Sequence, residues 1–250
     1  MPNALPRRLL RDQIREHLLE QIASGFLAPG DRIVEARVCE ELGVSSIPVR
    51  EAIRELVAMG VLAAATHKGA WVREVSLQET VEALEVKAAL EALAARLAGP
   101  RLKGNCAVLR RICAAILEAT ERRDFVAYQQ CNQAFHRHIV EMAGNAALAR
   151  TWSSLAFEVR TRFIMDFVAN GDAATIASEH EPIVEAFEAG NAQQAAGLLA
   201  THASDLIAYL QKLGSFEKVA PKPPPAKPKT GLPKPDFNVP DKHREAASNT

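Results

Sequence analysis

Two groups of residues in this sequence have the types and spacings that could do chemistry. Asn132 and His136 stand four residues apart in a stretch with helical apolar spacing, Asp124 to Ala143, so both project from one face. His180 and His202 lie further along, each beside apolar residues. An antiparallel helical bundle can bring an amide oxygen and three imidazoles to one centre. Such a donor set suits Zn²⁺, Ni²⁺, Co²⁺ or Mn²⁺ with positions left open. Isolated histidines are more often core or helix-end residues, so the spacing leaves that alternative standing. His138 falls nearly opposite His136 on the same helix and is set aside as a ligand. His17, His67 and His243 carry no ligand signal of their own.

The second group is the run Leu42-Gly43-Val44-Ser45-Ser46-Ile47-Pro48-Val49-Arg50-Glu51-Ala52-Ile53-Arg54. A helix introduced by Ser45 or Ser46 as N-cap would tolerate Pro48 in its first turn and bury Val49, Ile53, Leu56 and Val57. Its outward face would then carry Ser46, Ile47, Arg50 and Arg54. Hydroxyl, apolar and guanidinium groups at that spacing can meet base edges and phosphates in a major groove. The same spacing also describes a solvated helix face.

These residues need a scaffold, and the apolar pattern supplies one. Leu10, Ile14, Leu18 and Ile22 mark a helix over about residues 7 to 24, ended by Gly25. After the Pro29-Gly30-Asp31 turn, a short helix from Val34 to Leu42 is closed by Gly43. The third helix runs to about Met59. Two short extended segments, 61–65 and 70–75, follow, joined through Thr66-His67-Lys68-Gly69. Three helices followed by a hairpin is the order of a winged helix-turn-helix. From Ser76 the pattern is helical, with segments expected at about 77–98, 105–122, 124–143, 145–168, 173–189 and 191–213, punctuated by Pro100, Gly104, Gly144, Gly171 and Gly190. The fold class is therefore mainly α: a winged helix-turn-helix over 7–75 and an antiparallel bundle over 77–213. Residues 216–250 interleave prolines with Lys222, Lys227, Lys229 and Lys234, and are expected to form a disordered, polyproline-like tail.

Charge gives no help. The chain has 30 Lys+Arg against 30 Asp+Glu, so any attraction to phosphate depends on how cations are distributed over one face. Cys39, Cys106, Cys113 and Cys131 form no CxxC pair, which excludes a zinc finger. No signal-peptide pattern follows Met1 and no long uncharged apolar run occurs, so the expectation is a cytoplasmic protein without membrane contact.

From Leu10 to Val75 the chain resembles the DNA-binding domain of the GntR family, FadR-like branch. The resemblance is carried by Gly25-Phe26-Leu27-Ala28-Pro29-Gly30, by the run Leu42 to Ile53, and by Leu56 with Gly60-Val61. It implies a regulator of transcription, not an enzyme, that binds double-stranded operator DNA as a homodimer. Ser45, Ser46, Ile47, Arg50 and Arg54 would face the groove, with His67, Lys68 and Gly69 at the wing tip. Ser46 stands where the family most often has Arg, which implies a different half-site. Residues 77–213 resemble the FCD domain, whose metal-binding members carry D/N-x-x-F-H, a second His before x-x-I-x-x-A and a third in the last helix. Here these are Asn132-Gln133-Ala134-Phe135-His136, His180-Glu181-Pro182-Ile183-Val184-Glu185-Ala186, and His202. The resemblance implies a divalent metal ion, Zn²⁺ or Ni²⁺ ahead of Mn²⁺ or Co²⁺, held by Asn132, His136, His180 and His202. Four neutral ligands would leave the cation uncompensated and favour a small carboxylate effector. Lys87, Arg160 and Arg162 are the candidate second contacts to it. A metal-dependent enzyme tethered to DNA is the competing reading, and it lacks a paired carboxylate or nucleophile motif in the sequence.

Overall fold

The computed structural model describes residues 9–65, 69–160 and 173–216. Its contacts divide the chain into two units that meet between Arg73 and Glu74. In the first, α1 (Leu10–Ala23), α2 (Glu35–Leu42) and α3 (Ser46–Ala58) pack around Ile14, Leu18, Val49, Ala52 and Leu56, all fully buried. Ala52 takes the centre of the α3 stripe, and Ile53 and Val57 flank it half-buried. Burying Val49, Ala52 and Leu56 turns the opposite side of α3 to solvent.

Three short strands complete this unit: β1 (Arg32–Ile33), β2 (Leu62–Ala65) and β3 (Gly69–Val72), in the order β1-β3-β2, all antiparallel. Ala64 pairs with Ala70 across the hairpin, and Ile33 pairs with Ala70 on the other side. β1 was not visible in the sequence, because two residues are too few to show alternation. β3 stops at Val72, short of the expected 75, and Arg73 turns its Nε to donate to the Gly60 carbonyl at 2.7 Å.

The second unit consists of α4 (Leu77–Leu102), α5 (Ala107–Glu121), α6 (Phe125–Met142), α7 (Ala146–Ser154), a 3-10 turn (Phe157–Arg160), α8 (Ala173–Ser178), α9 (His180–Glu188) and α10 (Ala192–Phe216). Its core is built on Leu84, Leu102, Leu109, Ile116, Phe135, Ile139, Ile183, Phe187 and Leu199. A capping box starts α4: Ser76 accepts from the Glu79 amide while the Glu79 carboxylate accepts from the Ser76 amide. The Asp124 and Asn145 side chains cap α6 and α7 by accepting from first-turn amides.

Three boundaries differ from the sequence expectation. α4 continues through Pro100 to Leu102: Pro100 is exposed, so the carbonyl it leaves without a partner can meet water, while buried Leu102 anchors the last turn. The helix expected over 145–168 ends at Ser154, where Ala156 takes a positive φ of 45°, and residues 161–172, Gly171 included, lie outside the described residues. The helix expected over 173–189 divides at Glu179. Gly99 sits where α4 meets α10, and a Cβ added there would lie 2.4 Å from that of Ala192. All four cysteines are free thiols. Among the described residues no helix is long and apolar enough to cross a membrane. The Pro/Lys-rich segment 217–250 lies outside the described residues.

Candidate nucleic-acid interface and metal centre

α2 and α3 are joined by Gly43, whose φ of +67° a Cβ would strain, with the Val44 amide donating back to the Cys39 carbonyl. This tight turn presents the N-terminal half of α3. Ser45 occupies the N-cap position in extended conformation, though its hydroxyl makes no capping bond and is free for another partner. Ser45, Ser46, Ile47, Arg50 and Arg54 are all exposed, and Ile47 stands out at 68% exposure for a large apolar side chain. Arg54 makes no ion pair among the described residues. Arg50 is held in a fork by Glu35 of α2: Nε donates to Oε2 at 3.1 Å and Nη2 to Oε1 at 2.7 Å. Its side chain still keeps 54% of its surface in solvent. Gly69 opens β3 with a φ of +73°, and His67 and Lys68 lie outside the described residues.

In the second unit, Tyr128, Asn132 and His136 lie one above another on α6. His180, the first residue of α9, and His202 of α10 close on them: the three histidines offer ring nitrogens all within 4.8 Å of one another. Each ring has its Nδ1 directed at an outer acceptor. That of His180 donates to the Ala177 carbonyl at 3.1 Å, and that of His202 faces Glu179 Oε2 at 2.5 Å. That of His136 lies 3.0 Å from Glu91 Oε2, near enough to fix the ring although the pair is not aligned as a hydrogen bond. Outer partners of this kind set the tautomer, leaving the Nε2 lone pairs for the centre.

His180 shows the consequence. A carbonyl can only accept, so Nδ1 carries the proton and Nε2 is a lone pair, 2.8 Å from the Asn132 side-chain amide, which can turn its NH2 to Nε2 or its oxygen to a shared cation. With the amide oxygen turned inward, the two atoms approach the spacing of adjacent ligands on one small cation, ~3.0 Å in an octahedral and ~3.4 Å in a tetrahedral site at bond lengths of ~2.1 Å. Burial also keeps two of the imidazoles neutral, as ligation requires: it pushes His136 down to about 4 against the pull of Glu91, and His180 well below its ordinary value. The residues present therefore fit a divalent cation.

Beside the histidines, Glu91 is buried to 1% exposure and gathers Lys87 Nζ at 2.7 Å and the Trp152 indole N–H at 2.8 Å. Burial alone would raise its carboxyl, but His136 and Lys87 outweigh that and hold it well below the usual carboxylate range. Lys87 lies over the Phe157 ring, 5.2 Å from its centroid, and lines a cavity shared with Tyr128, Asn132, His136, Glu179 and Asp205.

Residues 10–72 match the family described as bacterial regulatory proteins, gntR family, and residues 82–205 match the FCD domain. The chain is 36% identical over 208 residues to a probable D-xylose utilization operon transcriptional repressor of Paenarthrobacter nicotinovorans, covering 82% of this chain and 89% of that one. The chain belongs to the GntR family. Its relatives include the HTH-type transcriptional regulator LutR of Bacillus subtilis, 29% identical over 219 residues, with 79% of this chain and 98% of that one covered. Among solved structures, E. coli McbR/YncC shares the fold with a TM-score of 0.71 at 23% identity, over 82% of this chain and 99% of that one. As a GntR-family member the chain is a transcriptional regulator, and its helix-turn-helix implies DNA binding. Family members of this kind are not enzymes, which removes the reading of a DNA-tethered metalloenzyme.

Of the residues expected to touch an effector, Lys87 lines the cavity. Arg160 turns its guanidinium to the Leu155 and Glu79 carbonyls and does not line it, and Arg162 lies outside the described residues. The sequence reading of this GntR-family chain missed Glu91, Trp152 and Glu179 at the centre and Glu35 beside Arg50. A signal existed for Glu91, a carboxylate four residues after Lys87 on a face made mostly of Ala and Leu, and for Glu179, adjacent to His180. Trp152 offered none. Glu179 also revises the charge of the site, since an acid bonded to His202 compensates part of a dication.

Proposed function

We propose that this chain is a ligand-responsive repressor acting in the cytoplasm on palindromic operator DNA as a homodimer, with a divalent cation at Asn132, His136, His180 and His202 as part of its effector site. The observation that carries the reading is the convergence of the His136, His180 and His202 ring nitrogens, all within 4.8 Å of one another and beside the Asn132 amide. A cation bound there would supply a Lewis-acid position for a carboxylate oxygen. Lys87 would steer the same group, and the partial compensation by Glu179 leaves a preference for a single negative charge. Glu179 and Asp205, both acceptors on the cavity, suit hydroxyl groups at the effector's far end. The effector is thus a small hydroxylated carboxylate. Repression as the sign of regulation is supported by the printed name of the Paenarthrobacter relative.

The homodimer is supported by α4. Val86, Leu90, Leu93 and Leu97 fall at steps of four, three and four, the seam spacing of paired helices, and Val86, Leu93 and Leu97 are exposed. Exposed Glu85 and Arg96 stand eleven positions apart, close to three full turns, and so share one flank of the seam. About a two-fold axis close to Leu90, antiparallel α4 helices would bring Glu85 near the partner's Arg96, twice over.

Metal analysis of purified protein, with a thermal-shift screen of hydroxy acids, tests the reading. About one divalent ion per chain is expected, together with a hydroxy-acid response that disappears in the His180→Ala/His202→Ala variant. Metal content and response unchanged in that variant would contradict it.

A further inference from the structure

The fork between Glu35 and Arg50 is the one place in the described part of the first unit where a groove-facing cation already has a carboxylate partner. We propose that Glu35 is a positioning residue for DNA recognition: it fixes the plane of the Arg50 guanidinium so that Arg50 reads a base edge and does not wander to phosphate. The inference rests on the reading of α3 as the helix that meets DNA.

The donors show why this follows. A guanidinium has five N–H groups. Glu35 takes the Nε–H and one Nη2–H, which occupies one side of the fork. One Nη1 proton and the second Nη2 proton stand parallel along the end of the side chain, and the other Nη1 proton points along the edge opposite Glu35. Two parallel donors on that end match the O6 and N7 acceptors of guanine in the major groove. Glu35 is itself well anchored. It is the first residue of α2, where the helix dipole favours a carboxylate, and it follows β1, which is paired to β3, while Val38 one turn on is buried. A fixed acid on one element therefore holds a flexible cation on the next. Arginine loses rotamer freedom when it reads a base, and here part of that loss is met before DNA arrives.

Glu35 has a second effect of opposite sign. It places a negative charge beside the DNA-facing surface and neutralises Arg50 at long range, so attraction to phosphate of any sequence is weakened. Both effects act together on the ratio of specific to non-specific affinity. As a surface ion pair the fork contributes little to folding, so stability should barely change when it is removed.

The test begins with duplexes selected from a random pool by the full-length parent chain, compared with scrambled duplexes of the same composition at several salt concentrations. Glu35→Gln should bind scrambled DNA more tightly than the parent and lose about tenfold in the selected-to-scrambled ratio, within the range of one bidentate base contact. The base pair whose preference relaxes should be the one that Arg50→Ala also relaxes. In the Arg50→Ala background, Glu35→Gln should no longer change the ratio. The proposal is overturned if Glu35→Gln shifts affinity for both duplexes equally and leaves the selected sequence unchanged, since Glu35 would then be a charge and nothing more. If the parent selects no duplex, the DNA-reading assignment of α3 fails first and takes this inference with it.

Discussion

Replacing Glu91 by alanine tests the centre where its physical demands are greatest. The carboxylate accepts from Trp152, pairs with Lys87 and backs His136, all at 3.0 Å or less and almost wholly out of water. Removing it leaves an ammonium with 7% exposure and no counter-charge, an indole N–H without an acceptor, and a histidine ring no longer fixed. Breaking a buried ion pair from one side costs about 3 to 5 kcal/mol, because the remaining charge stays desolvated. For a chain of this size each kcal/mol moves the midpoint by about 2 to 4 °C, so the second unit should melt about 10 °C lower. Metal affinity should fall about 10- to 100-fold, the usual effect of losing an outer partner of a ligating histidine. Thermal and urea unfolding of the full chain, followed by circular dichroism and by zinc titration, measure both. Lys87→Met/Glu91→Leu should recover much of the stability lost in Glu91→Ala, because no buried charge is then left alone, while metal affinity stays weak. A Glu91→Ala midpoint within about 2 °C of the parent, less than the shift expected for one kcal/mol, would refute the reasoning.

Further outcomes follow from other parts of the molecule. Gly99→Ala should destabilise by about 1 to 2 kcal/mol despite alanine's better helix propensity, because the new methyl meets Ala192, and Ala192→Gly in the same chain should relieve it; urea midpoints decide. Leu93→Glu with Leu97→Glu should convert a dimer to a monomer by light scattering, and Glu85→Arg should weaken association that Arg96→Glu then restores. The metal-free protein should lose stability as pH falls from 6.5 towards 4. There the unfolded chain takes up a proton that buried His136 refuses, so its contribution is present above 6.5 and lost below, by roughly 3 kcal/mol in all. His180 acts in the same direction, and a urea midpoint flat across that range would contradict both.

Much of this architecture was written in the periodicity of the chain. The spacing of Ile14 and Leu18, the glycine closing α2 and the apolar face of α3 are local signals, and local signals survive in a single sequence. The convergence of Asn132, His136, His180 and His202 was legible only through the FCD resemblance, since nothing in the spacing says which faces of α6, α9 and α10 meet. What escaped the sequence depends on contacts between distant elements. β1 exists because β3 offers an edge to two residues, Trp152 reaches Glu91 from 61 positions away, and Glu35 finds Arg50 across the turn between α2 and α3. The continuation of α4 through Pro100 is a case where tertiary packing and not the local breaker sets the boundary: Pro100 faces solvent, and Leu102 beyond it is fully buried.

The most direct measurement is a matched-salt titration of the parent chain and Arg50→Ala against the duplex that the parent selects. A loss of about tenfold or more in affinity for the selected duplex, with little change on scrambled DNA, is the predicted result. Equal affinities on the selected duplex would contradict the assignment of α3 as the helix that reads DNA.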